Sequence, residues 1–215
     1  SQGLADVLPS LAGCDLLFLP DVETIYPFGA ERAVRVQVPD LGDILEGASR
    51  PGHFDGVASV VARLFNLVQA DAAIFGSKDY QQLLVIRRMA RDLGFAVEII
   101  AAPIIREANG LAMSSRNQYL DAGQHAQAAS IHATLRWMTG QLDAGVDSPA
   151  EIEAAAMQRL AKAGFDPDYA VIRCAEDLSR SPQTGKERAV ILIAARLGGV
   201  RLIDNLEWEP ANAGH

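Results

Sequence analysis

Three short segments carry residue types suited to phosphate and carboxylate chemistry. The first is Phe75-Gly76-Ser77-Lys78-Asp79-Tyr80-Gln81-Gln82. Gly76 lets backbone approach a ligand closely, free N–H groups at a helix start attract phosphate, and Lys78 adds a flexible point charge. Asp79 suits ribose hydroxyls, and Gln82, three residues on, shares that side of a helix and can reach a neighbouring substrate. The plain alternative is a glycine turn with a surface Lys–Asp pair and Asp79 as N-cap. The second segment is Met113-Ser114-Ser115-Arg116-Asn117. Two adjacent hydroxyls and an arginine could wrap a polyphosphate, with Arg116 stabilising charge that develops during transfer; otherwise it is a polar linker. The third is Leu45–Phe54, where Glu46 and Arg50 are spaced to pair and His53 precedes a helix start.

These segments need elements to position them. Asp15–Pro20 reads as a short buried strand and Ala33–Val38 as a strand with one wet face. From Asp55 to Gln69 a helical stripe of Val57, Val60, Val61, Leu64 and Leu67–Val68 faces a core. Ala72–Phe75 is a buried strand, Tyr80–Leu93 a helix stopped by Gly94, and Val97–Ala101 the next strand. This alternation predicts a parallel sheet covered by helices, whose ligands collect at the carboxyl edge of the strands. Beyond residue 105 the grammar changes. One long helix runs from the capping-box spacing at Asp121–Gln124 to about Gly140. Ser148-Pro149-Ala150-Glu151 starts another that ends near Gly164. Strands at Tyr169–Arg173, Ala189–Leu197 and Val200–Asp204 follow, the last two joined by Gly198-Gly199. The reading is an α/β domain over 1–104 followed by a smaller α+β domain over 105–215.

Composition narrows the class. The 215 residues are 49% hydrophobic and 21% charged, as in an ordinary globular protein. A net charge of −8 argues against nucleic-acid or anionic-membrane partners. No apolar run is long enough for a membrane span. Cys14 and Cys174 form no CxxC pair, which suits a reducing, cytoplasmic setting. His125 and His132, on one helix, read as solvated rather than as metal ligands. No nucleophile elbow is present, so covalent hydrolase chemistry has no support.

Together with Arg106–Asn117, Ala194–Gly198 and Arg201-Leu-Ile-Asp-Asn205, these segments resemble the pantoate–β-alanine ligase family in order and spacing, from about Asp15 to Leu206. The resemblance implies a Rossmann-like nucleotidyltransferase domain followed by a lid. It also implies ATP-dependent joining of pantoate to β-alanine through a pantoyl adenylate, with Mg²⁺ on the phosphates and a homodimeric assembly. It places Gly76, Ser77, Lys78 and Asp79 on ATP, Lys78 on phosphate, and Gln82 on pantoate. Ile105 and Met113 would offer backbone to adenine, and Ser114, Ser115 and Arg116 would close on the phosphates. Glu46 and Arg50 match a segment near the family's subunit contact and are assigned no direct chemistry. The family's His-x-Gly-His segment has no match here, and the chain opens Ser1-Gln2-Gly3 without Met. The expectation is therefore a chain lacking the N-terminal part of the nucleotide domain, with negligible turnover alone. A non-catalytic nucleotide-binding or dimerisation fragment, or a related carboxylate-adenylating enzyme, are the alternatives.

Overall fold

A computed structural model describes residues 13–146, 148–179 and 187–210. Contacts group the chain into one unit up to Arg35 and a second from Val36 onward. Within the first, a one-turn helix over Val22–Ile25 is capped by Asp21, and a 3₁₀ turn covers Ala30–Arg32.

The second unit begins with a loop and a one-turn helix, Glu46–Ser49. Helix α1 (His53–Val68), strand β1 (Ala72–Gly76), a 3₁₀ turn (Ser77–Asp79), helix α2 (Tyr80–Asp92) and strand β2 (Glu98–Ala102) follow. β1 and β2 pair in parallel, with Ala72 opposite Glu98 and Gly76 opposite Ala102. The predicted alternation holds, but β1 is not the buried strand expected, since Ile74 is 70% exposed. After a 3₁₀ turn at Ser115–Tyr119 come α3 (Ala122–Ala128), α4 (Ser130–Asp143) and α5 (Pro149–Lys162). The antiparallel sheet β3 (Asp166–Cys174), β4 (Ala189–Leu197), β5 (Val200–Trp208) completes the unit, in the order β3-β4-β5.

β4 is apolar from Ala189 to Ala195 because both faces of its sheet are covered there. Ile172, Ala189, Ile191 and Ile193 join a core built on α4 and α5. Val171, Val190 and Leu192 face the other way, onto Phe54 and Ala58 of α1 and Leu84 and Val85 of α2. A strand buried on both faces loses the polar alternation of a half-exposed one. The cores on the two faces of β4 therefore meet across that strand, within the single unit from Val36 onward.

Local signals account for the helix ends. Asp121 accepts from the Gln124 N–H at 2.8 Å, while the Gln124 side chain accepts from the Asp121 N–H at 3.1 Å. Ser148 accepts from the Glu151 N–H, with Pro149 at the first helical position. Gly198 and Gly199, at φ 55° and 83°, make the left-handed pair a tight hairpin requires.

Several expectations need correction. Asp15–Pro20 and Ala33–Val38 are not strands, and Leu16 is 84% exposed. An apolar run becomes a strand only when it joins a ladder, and no ladder among the described residues includes either run. Instead the Val36 N–H donates to the Ser59 hydroxyl at 2.8 Å. Leu67 and Val68 are exposed, because the buried stripe of α1 centres on Phe54, Ala58, Val61 and Ala62. The helix predicted from Asp121 is broken at Ala129, so His125 and His132 lie on different helices. Neither is merely solvated: His125 lies 3.1 Å from the Glu107 carboxylate, and His132 is half-buried against Gly110.

Candidate active site

β1 ends at Gly76, and the 3₁₀ turn carries Ser77, Lys78 and Asp79 over the sheet's carboxyl edge into α2. Asp79 occupies the N-cap position without making a side-chain cap, so the capping alternative fails. Gly76 has an ordinary φ of −69° and open space where a Cβ would stand. Its small size therefore leaves room beside the strand end and is not demanded by backbone conformation.

Lys78, Asp79 and Gln82 line a cleft together with Glu46, Arg50, His53, Arg116 and Tyr169. A smaller adjoining hollow shares Lys78, Arg116, Ile203 and Asp204 and adds Ser114 and Asn117. Residues from three distant segments thus converge. The side chains of Lys78, Asp79, Gln82 and Arg116 make no hydrogen bond or ion pair among the described residues. Burial pushes the Lys78 ammonium below its ordinary pKa, and Arg116 adds to this, while Asp79, Asp204 and Glu46 oppose it. Burial, reinforced by Arg50, likewise lowers His53.

Not every expected residue enters the cleft. Ser77 lines a different hollow, beside Tyr80 and Arg87, and only its carbonyl is held near the site. Ser115 is exposed and lines neither hollow. Ser114 accepts from the Arg116 N–H at 3.2 Å, shaping the turn that carries the arginine. Ile105 and Met113 flank the isolated antiparallel bridge between Arg106 and Ala112, and the Met113 N–H donates to the Ile105 carbonyl at 2.9 Å. Met113 therefore does not have its N–H free for a base.

Glu46 and Arg50 do not pair. Glu46 takes a two-point contact from Arg201, at 2.6 and 2.7 Å, and the Tyr169 hydroxyl donates to it at 2.8 Å. Arg50 instead reaches the His53 ring at 3.2 Å. Burial opposes ionisation of Glu46, yet the Arg201 and Tyr169 contacts prevail and hold its pKa below the usual value. The turn before it is strained, since Leu45 adopts φ 48° and ψ −110°. Gln81 holds that turn. Its amide donates to the Leu41 and Ile44 carbonyls at 2.7 and 2.8 Å, and its oxygen accepts from the Glu46 N–H at 3.1 Å. A Cβ on Gly47 would stand 1.9 Å from the Gly42 carbonyl oxygen, so only glycine fits there.

The residues missed by sequence reasoning are mostly on β5. Arg201 holds Glu46; Asp204 makes a two-point contact with Arg106 at 2.7 and 3.0 Å; Asn205 donates to the Ser77 and Lys78 carbonyls at 3.0 and 2.9 Å. The polar residues of Arg201-Leu-Ile-Asp-Asn205, beside the apolar run Ala189–Ala195, were the available signal. Charged residues in a buried strand require partners, but the string does not name them.

The family model for pantoate-β-alanine ligase matches residues 5–207. The chain belongs to the pantoate–β-alanine ligase family. It is 55% identical over 196 residues to the pantothenate synthetase of Xylella fastidiosa strain M23, covering 91% of this chain and 69% of the relative. A pantothenate synthetase of Xanthomonas oryzae pv. oryzae is 55% identical over 207 residues, covering 96% and 71%. The crystal structure of pantothenate synthetase from Thermus thermophilus superposes with a TM-score of 0.85 at 46% identity, over 96% of this chain and 74% of that one. The Francisella tularensis pantoate-β-alanine ligase, crystallised with β,γ-ATP and β-alanine, gives 0.74 at 28% identity, covering 96% and 69%. This ligase is therefore an ATP-dependent enzyme joining pantoate and β-alanine, with the nucleotidyltransferase-type fold of those structures. No helix among its described residues is long and apolar enough to cross a membrane.

Proposed function

We propose that the cleft between the Ser77–Asp79 turn, α2 and β5 is where ATP and pantoate meet. The observation that carries this reading is the convergence in one cleft of Lys78, Gln82 and Arg116, whose side chains make no hydrogen bond or ion pair among the described residues. Lys78 and Arg116 supply positive charge for the phosphates, and Asp79 faces the ribose. Gly76 leaves room for the nucleotide, Ile105 and Met113 flank the base, and Gln82 holds pantoate. Ser114 and Ser115 shape and extend the phosphate-facing turn.

In the first step a pantoate carboxylate oxygen bonds to the α-phosphorus of ATP as the bond to the β-phosphate oxygen breaks, releasing pyrophosphate. In the second, the β-alanine amine bonds to the acyl carbon, AMP leaves, and the nitrogen loses a proton. The chain's own contribution is to align the reactants and to stabilise charge on the phosphates. Lys78 is suited to this because it is half-buried, where a charge acts more strongly than in water. Mg²⁺ binds mainly to phosphate and water and needs few protein ligands, and no residue of this chain is assigned to it. When bound, it neutralises phosphate charge.

The two-domain division at 104/105, a homodimer with Leu45–Phe54 near the contact, and a cytoplasmic location belong to the same reading. The deciding assay is pantoate-dependent exchange of labelled pyrophosphate into ATP by the gene product carrying this chain. Exchange that requires pantoate is the expected result. Exchange with other acids but not with pantoate would overturn it.

A further inference from the structure

The cleft's working groups lack partners, yet something must hold their backbone in place. Asn205 is 3% exposed, and its amide nitrogen donates to two consecutive carbonyls, those of Ser77 and Lys78. These belong to the single 3₁₀ turn between the last residue of β1 and the first of α2. A lysine carries a long, flexible stem, so the position of its ammonium depends first on where its backbone is fixed. Asn205 itself lines the cleft, but among the described residues its side chain donates only to these two backbone carbonyls and not to the Lys78 side chain.

Its own strand is firmly anchored. Asp204, 5% exposed, grips Arg106 at two points, and Arg201 grips Glu46. β5 is thus a fixed rail from which the turn is suspended by one carboxamide.

We propose that Asn205 is a positioning residue for Lys78, setting the turn that presents the ammonium to the cleft. This rests on the reading that Lys78 serves adenylation. The test is a double-mutant cycle on pantoate-dependent pyrophosphate exchange, using Asn205→Ala, Lys78→Ala and the pair. Misplacement of a reacting group by about 1 Å costs on the order of 100-fold. Asn205→Ala is therefore expected to lower the exchange kcat by about 10- to 100-fold. In the Lys78→Ala background the same change should cost less than about threefold, since no ammonium remains to be placed. Asn205→Ser, which keeps one donor, should recover part of the loss and provides a second cycle if the alanine variant folds poorly.

Equal losses in both backgrounds would show a purely structural role and overturn the proposal, as would full activity in both Asn205 variants. Full activity of Lys78→Ala would instead refute the assignment of Lys78, a separable failure.

Discussion

The two sides of the cleft treat charge in opposite ways. On β5, Arg201, Asp204 and Asn205 are all engaged with protein partners, through contacts of 2.6 to 3.0 Å. Facing them, Lys78, Asp79, Gln82 and Arg116 have none among the described residues. A partnered buried charge fixes geometry, whereas an unpartnered one keeps its field available and lowers stability. The difference teaches which polar residues build the site and which are reserved for ligand.

The largest expected effect falls on the reserved side. Lys78→Met should reduce pyrophosphate exchange by about 100- to 1,000-fold, the usual cost of losing one charge-stabilising donor. The same substitution should raise resistance to urea at pH 7. Because the folded pKa of Lys78 lies below its ordinary value of 10.5, the unfolded chain binds its proton more tightly. That penalty is full below the folded pKa and disappears as pH rises toward 10.5, so the gain in urea midpoint should shrink over that interval. A destabilised variant would show Lys78 to be a structural residue and would erase the contrast.

Glu46→Ala tests the engaged side. It removes the two-point partner of Arg201, whose side chain is 14% exposed, but leaves Arg201 its contact with Asp168 at 2.5 Å. The expected loss is therefore about 1 to 2 kcal/mol in urea unfolding, less than for a buried pair broken outright. The folded pKa of Glu46 is depressed, so its stabilisation is present above the ordinary value of 4.5 and fades as pH falls through the folded value. Wild-type and variant stabilities should converge in that acid range. A constant gap would assign the loss to packing alone.

The smallest effect lies outside the cleft. Asp121→Ala removes the side-chain cap of α3 and should cost about 1 kcal/mol, with exchange unchanged. A fall in exchange would extend the site's supporting structure to the Asp121–Gln124 turn.

Much of the fold was legible because its signals are local. Asp121, Ser148-Pro149 and Gly198-Gly199 each mark an element boundary through their own backbone chemistry. Strands β1 and β2 follow from an apolar run and its spacing to a helix. Asp15–Pro20 failed because a strand is a relation between two segments, and its sequence specifies only one of them. The break at Ala129 was likewise hidden, since Ala122–Asp143 contains no proline or other strong breaker there. In the candidate site, residue type raised Lys78, Gln82 and Arg116 only beside plainer alternatives, and the resemblance to the ligase family carried their assignment. Gln81 was passed over although it is adjacent to Gln82, because only its place on α2 directs it to the Leu41–Glu46 turn.

The sequence by itself determined most of the elements after Asp55, their order and the residue types able to handle phosphate, since these depend on neighbours a few positions apart. Tertiary structure decided the partners. Glu46 is four residues from Arg50 but pairs with Arg201, and Asn205 reaches the Ser77–Asp79 turn from β5. Such pairings depend on which groups are buried together, and burial is settled only when the two cores close across β4.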